Sequence, residues 1–475
     1  MPPTVEPRPA ARRRELEPYA LFAVALATRF WQLSQPRGAI FDEELYEQYI
    51  SHYFTHTFYF NLHPPVGKLV LALGAWLLRI DPVALAQADP AVTLRLVPAL
   101  AGSLVIPVFY VLLRQLGATR RVATMGAFLL LCDNLLFVLS RYILIDALLL
   151  LFMLGSVSAY LASRGRIGRE RWALVVLAAL LAGLAVGTKW SGIAALGLVG
   201  VVWLRAVVRG EAARPALAME AALLAVIPAA VYLAAFSVHL NLLPFSGGRD
   251  DTVMSPAFQA TLVHNPAYRH DASVPFLTAL RDAHVAMLRG NGEYVGDRNP
   301  NASPWWRWPV PWRPPYVWNS WGTTPGEGAH VVLAANPVVW LAALLGLAAY
   351  AVILAAWPVG RARLAPHRDS LWLLTVAWAA SYLPYALVTR ELFVYSYVPA
   401  MTFSLGLAAM LGGTLAGWMR DDPRGPWRFA GRRSAAAYLG VGALAFAAYA
   451  YLRPLGTGEA IPDAAWAHRR VLIGR

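Results

Sequence analysis

Residues 122–162 read VATMGAFLLLCDNLLFVLSRYILIDALLLLFMLGSVSAYLA. Two apolar stretches, 122–140 and 142–162, flank Arg141, with Asp146 shortly beyond it. Each approaches the ~20 residues that carry an α-helix through a hydrocarbon layer about 30 Å thick. The same pattern recurs outward along the chain at 19–33, 94–113, 172–188, 190–207, 217–236, 331–357, 370–388, 394–417 and 435–452. The expectation is an all-α polytopic membrane protein with about eleven transmembrane helices. Composition agrees: of 475 residues, 58% are hydrophobic and 14% charged, where soluble domains carry about a quarter charged. Mean hydropathy is +0.48. A soluble globule, a disordered chain, a collagen-like fibre and a disulfide scaffold are excluded on this arithmetic. The single cysteine, Cys132, has no intrachain partner.

The net charge of +14 rests on 41 basic residues, of which only Lys68 and Lys189 are lysine. Such a charge also suits a nucleic-acid binder, but the basic residues concentrate in short gaps between apolar runs, as positive-inside topology requires, so no nucleic acid is expected as partner. Arg8, Arg12, Arg13 and Arg14 precede the first run, and Phe30 and Trp31 stand where a signal peptide would need small residues. The reading is an uncleaved first span with a cytoplasmic segment 1–18. The segments 1–18, 114–121, 163–171, 205–216, 358–369 and 418–434 then fall inside, and they hold more than half of the basic residues. A membrane domain over 19–452 displays two large loops outside, 34–93 and 237–330, together with a tail, 453–475. The setting expected is the cell (plasma) membrane, with chemistry on the extracytoplasmic side.

The outward loops and the outer ends of the spans carry the candidate chemistry. Phe41-Asp42-Glu43-Glu44 places two adjacent carboxylates close to the bilayer, where a lowered dielectric and mutual repulsion raise basicity. An acidic cap on an interfacial helix fits the same letters. His63-Pro64-Pro65-Val66-Gly67-Lys68 is a rigid turn presenting His63 and Lys68 at its two ends, before an apolar run, 69–78, too short to cross. Arg95, Arg141, Asp146 and Lys189 lie at the outer ends of spans, where charge is costly and by default functional. A cluster of cations at that depth suits a lipid phosphate; snorkelling and an Arg141–Asp146 pair are the plainer alternative. Arg390 to Pro399, including Tyr395, adds another charged outward turn. Trp305, Trp306, Trp308, Trp312, Trp318 and Trp321 suit an interfacial belt or a groove lining, and Asn301-Ala302-Ser303 matches a glycosylation sequon.

Taken together and in this order, Asp42-Glu43, HPPVGK at 63–68, Arg95 in LRLVPAL, SRYILID at 140–146, GTKWSG at 187–192 and the segment 390–399 resemble the dolichyl- or polyprenyl-phosphate-mannose protein O-mannosyltransferases, membrane glycosyltransferases of the GT-C type. The resemblance implies inverting transfer of mannose from a polyprenyl-phosphate carrier to Ser or Thr hydroxyls of secreted or membrane proteins. Two departures stand out. Ser396 occupies a position where the family usually has a histidine between tyrosines, and the loop 237–330 is too short for a MIR domain, which suggests a bacterial type.

The expected roles follow. Asp42 is the base, Glu43 orients the acceptor, and Arg95, Lys189, Lys68 and Arg141 bind the donor phosphate; His63, Pro64, Pro65, Asp146, Arg390 and Tyr395 support the motifs. No cofactor is required, although His63 leaves a divalent metal open. The partners expected are the lipid-linked donor, a protein acceptor and the surrounding lipids. A GT-C transferase serving a glycolipid or polysaccharide is the first alternative. A transporter is the second, disfavoured because the charges gather at one surface and not at the midplane.

Overall fold

The computed structural model describes residues 15–81, 90–248, 253–292, 299–310, 313–321, 325–420 and 425–474. The expectations placed on Arg8, Arg12, Arg13, Arg14 and Trp312 lie outside the described residues. Among the described residues, nine helical segments are long and apolar enough to cross a membrane: Val92–Gln115, Asp146–Ser163, Gly168–Thr188, Trp190–Arg209, Arg214–Leu242, Pro337–Ala356, Pro358–Leu387, Val394–Leu415 and Arg432–Leu452. Asp146–Ser163 and Val398–Leu415 are buried over most of their length, whereas Arg432–Leu452 buries only Tyr438, Ala445, Tyr449 and Leu452. An apolar helix exposed in this way is one that faces lipid.

Two of the eleven expected spans are shorter than a crossing. The first is helical only over Glu17–Phe30, about 21 Å at 1.5 Å per residue. It stops because the carbonyls of Arg29, Trp31 and Gln32 are taken by the Arg141 guanidinium at 2.7–2.8 Å, and Gln32 turns to φ 48°. The run 122–140 is broken into Arg120–Leu131 and Asn134–Leu139. At the break Asp133 caps the second piece through Leu136 N, and Asn336 Nδ2 takes the Cys132 carbonyl at 2.8 Å. Trp340 Nε1 donates to Asp133 Oδ1 at 2.9 Å, so this intramembrane carboxylate, which the sequence reading passed over, joins two helices.

The run 331–357 is also not one helix. Its start belongs to a strand, and the helix begins at Pro337, where Asn336 Oδ1 accepts from Val338 N and Val339 N. The run 217–236 lengthens instead, into Arg214–Leu242.

Between the helices lies a small antiparallel sheet, β1 (Tyr316–Trp321), β2 (Glu327–Val332) and β3 (Ala460–Pro462), in that order. It pairs the second loop with the tail, and Trp466 stacks on His330 with ring centroids 4.2 Å apart. Trp308 is buried rather than interfacial, its indole held by Ser303 Oγ at 3.0 Å; Trp306 is exposed.

Candidate active site

Helix Glu43–Thr55 starts in the first loop, preceded by Phe41 in the left-handed region at φ 57°. A bulky residue held there is strained and persists only when its surroundings fix it. The fixing group is Glu43. Its carboxylate accepts from Ile40 N and Ile143 N at 2.8 Å each and from Arg95 Nε and Nη2 at 2.8 and 2.6 Å. The remaining Arg95 donors reach the carbonyls of Leu33, Pro36 and Gly38. Neither side chain is exposed.

This corrects three expectations. Glu43 has no free oxygen with which to orient an acceptor, so it is an anchor of the loop. Arg95 spends its donors on Glu43 and backbone, and Arg141, equally buried, turns both terminal nitrogens to the backbone of 29–32, so both guanidiniums are committed to the first loop and its approach. An arginine offers five donors in a fixed fork, which suits it to collecting carbonyls of an irregular turn.

Asp42, next in the chain, has the opposite environment. Burial pushes its carboxyl up to about 6; Lys189 opposes that rise and Asp146 adds to it. Lys189 Nζ stands 2.7 Å from Asp146 Oδ1 and 5.5 Å from the centre of the Tyr395 ring, and the Phe41 ring meets Tyr395 edge-on at 5.9 Å. Asp42, Asp146, Lys189 and Tyr395 therefore form one cluster, drawn from the first loop and three different span ends.

The cluster borders a cavity of about 340 Å³ whose lining includes His63, Lys189, Trp190, Tyr385, Arg390 and Tyr395. Burial, then the charges of Lys189, Lys68 and Arg390, holds the His63 imidazole well below the usual histidine range, so it is neutral near pH 7. Arg390, in the cavity wall, donates from Nε to Asn291 Oδ1 at 2.8 Å and from Nη1 to the Glu391 carbonyl at 3.4 Å. Lys68 does not line this cavity. It is buried beneath the turn, donating to Asn61 Oδ1 at 3.0 Å and the His63 carbonyl at 2.6 Å, and its expected place among the phosphate ligands is corrected to that of a clamp on the turn.

Two glycines explain how the motifs meet. A methyl on Gly67 would come within 2.8 Å of Ile145 Cγ2 and 3.1 Å of Thr188 Cγ2, and one on Gly187 would overlap Val66. The HPPVGK turn, with Pro64 and Pro65 buried, is thus seated directly on GTKWSG and on the segment ahead of Asp146. Among the described residues no group of three or more His, Cys, Asp or Glu is placed to hold a metal ion.

Asn291 and Tyr385, which line the cavity, belong to no motif singled out in the sequence, and Ser191 enters only within GTKWSG. Glu47 lies one turn beyond Glu43, and burial, then Glu43, pushes its carboxyl up to about 7. The 43/47 spacing on one helix face was the available signal.

The family model described as "Dolichyl-phosphate-mannose-protein mannosyltransferase" matches residues 19–244, and that of the "C-terminal four TMM region of protein-O-mannosyltransferase" matches 276–474. Protein O-mannosyl-transferase 1 of Mus musculus is 36% identical over 266 residues, 51% of this chain and 35% of that protein. The chain spans about a third of the length of such curated relatives. In fold it is similar to the S. cerevisiae protein O-mannosyltransferase Pmt1-Pmt2 complex bound to the sugar donor, with TM-score 0.80 at 16% identity over 93% of this chain and 90% of that one. It is also similar to the apo oligosaccharyltransferase of Archaeoglobus fulgidus, with TM-score 0.54 at 13% identity over 95% and 57%. At such identities the two structures speak to fold alone, but the two family models between them take in both halves of the helical bundle, and on that ground the chain belongs to the protein O-mannosyltransferase family.

Proposed function

We propose that this protein is an inverting mannosyltransferase that moves mannose from a polyprenyl-phosphate carrier to a Ser or Thr hydroxyl of a protein acceptor. The observation that carries the reading is the partly buried Asp42 carboxylate within the electrostatic reach of Lys189, which lines a cavity that also offers Arg390 and a neutral His63. With its pKa raised to about 6, Asp42 is still ionised at pH 7 and more basic than a solvated carboxylate.

In the step proposed, the acceptor oxygen bonds to the anomeric carbon while the bond from that carbon to the phosphate oxygen breaks on the opposite face. The hydroxyl proton goes to Asp42, and polyprenyl phosphate leaves as the anion. Lys189 and Arg390 stabilise the charge that develops on the phosphate, a contribution of about 3 to 4 kcal/mol for one well-aimed donor. Asp146 holds Lys189 in place through their 2.7 Å pair. The positive-inside bias supports an active site on the extracytoplasmic side of the cell membrane with the N-terminus in the cytoplasm.

The test is direct. Purified protein is incubated with labelled polyprenyl-phosphate mannose and Ser/Thr peptides, and mass spectrometry looks for alkali-labile glycopeptide. Label found only in a glycolipid would favour the other GT-C reading, and flux across vesicles without covalent product would favour transport.

A further inference from the structure

Trp190 forms part of the cavity wall immediately beside Lys189, at the break between helices Gly168–Thr188 and Ile193–Arg209. Its indole Nε1 lies 3.0 Å from Tyr232 Oη, Tyr232 Oη lies 2.8 Å from His284 Nε2, and His284 Nδ1 lies 2.7 Å from the Leu280 carbonyl. Chemistry fixes the directions of the two outer bonds. An indole N–H only donates and a carbonyl only accepts, so Trp190 gives its proton to the Tyr232 oxygen and His284 Nδ1 gives its proton to Leu280; an imidazole with its single proton on Nδ1 offers the Nε2 lone pair to the Tyr232 hydroxyl. Every donor in the chain has an acceptor.

Three elements distant in sequence are joined: the GTKWSG turn, the membrane helix Arg214–Leu242 and the loop helix Phe276–Gly292. The His284 ring also stacks beside Trp190, with centroids 6.2 Å apart, and packs on Phe236 at 4.9 Å. The same loop helix supplies Asn291, which holds Arg390, another residue of the cavity wall.

Resting on the function proposed above, we propose that Trp190 is the aromatic platform on which the sugar ring of the lipid-linked donor lies, and that Tyr232 and His284 are positioning residues that set its angle. A half-buried indole tied down at its only polar atom presents a fixed apolar face beside the cation that meets the phosphate. The C–H faces of a pyranose match such a surface, and an aromatic side chain fixed in advance loses little freedom when the ring arrives.

The experiment separates positioning from general damage. Protein labelled with 5-fluorotryptophan is compared by fluorine NMR across variants, with Trp190→Phe assigning the resonance, and the same proteins are assayed with polyprenyl-phosphate mannose at fixed peptide. Tyr232→Phe and His284→Leu each leave a half-buried polar group without its partner, so both shift the Trp190 resonance and raise the donor KM roughly tenfold, with kcat within about twofold. His284→Gln keeps an acceptor oxygen for Tyr232 and stays close to the parent in both readouts. An unmoved resonance in Tyr232→Phe and His284→Leu overturns the positioning role, and an unchanged donor KM overturns the platform. A parent protein that turns over no donor sinks the function assigned above and the platform with it, while the resonance still decides whether the chain of bonds holds the indole.

Discussion

Arg95 and Glu43, 52 residues apart, meet inside the protein with Nη2 2.6 Å from Oε2, and water reaches neither. Around this pair the first loop is gathered: its carbonyls at 33, 36 and 38 bond to the arginine and the amide of Ile40 to the glutamate. The pair decides where Asp42 stands, since Asp42 and Glu43 are consecutive.

Breaking it strands a buried charge. Glu43→Gln is expected to destabilise the protein by about 3 to 5 kcal/mol, read as a lowered Tm in detergent. Glu43→Leu combined with Arg95→Met should recover part of that loss, because the orphaned charge is gone. An unchanged Tm in Glu43→Gln would mean that the pair does not hold the loop.

Asp42→Asn keeps the shape and removes the base. Turnover should fall by about 10² to 10⁴ with donor affinity retained, as a donor titration of the purified variant would show. Ordinary turnover in that variant removes Asp42 from the chemistry.

The pH profile tests the same carboxylate. A base works ionised, so kcat/KM is expected to decline as pH falls through about 6. Lys189 favours the ionised form of Asp42, so in Lys189→Met the acid limb should move to higher pH, besides any loss of rate. Glu47→Gln should leave the limb where it is.

Glu47 bears on stability instead. Its folded pKa of about 7 lies above the ordinary 4.5, so the folded state prefers the protonated form. That preference contributes stability in full below pH 4.5 and is lost as pH rises through about 7. Glu47→Gln should therefore melt like the parent at pH 4 and at a higher temperature than the parent at pH 8.

Gly187 touches Val66 across the two motifs. Gly187→Ala should cost about 1 to 3 kcal/mol through overpacking and should separate His63 from Lys189, lowering activity. Gly197→Ala, at a glycine where a methyl meets open space, is the control for helix chemistry and should do neither.

Membrane class and the approximate position of most helices were legible in the chain because a bilayer imposes one length and one polarity on whatever crosses it. The charged residues at the ends of the spans were legible for the same reason: an ionisable group there stands out against an apolar background. His63, Lys189, Arg390 and Tyr395 line one cavity, and Asp146 and Asp42 act on Lys189 from beside it. Their division of labour was not legible. Asp42 and Glu43 are neighbours with the same functional group, yet Glu43 is consumed by four donors while Asp42 feels the charges of Lys189 and Asp146. Arg95, Arg141 and Lys189 read alike as cations at span ends, but two of them bind backbone and one faces the site. Sequence determined which charged residues sit at the ends of spans, through hydropathy, a property each segment carries by itself. Which of them are free to act was decided only by tertiary structure, because a charged group becomes an anchor or a reagent according to which partners arrive from elsewhere in the chain to satisfy it.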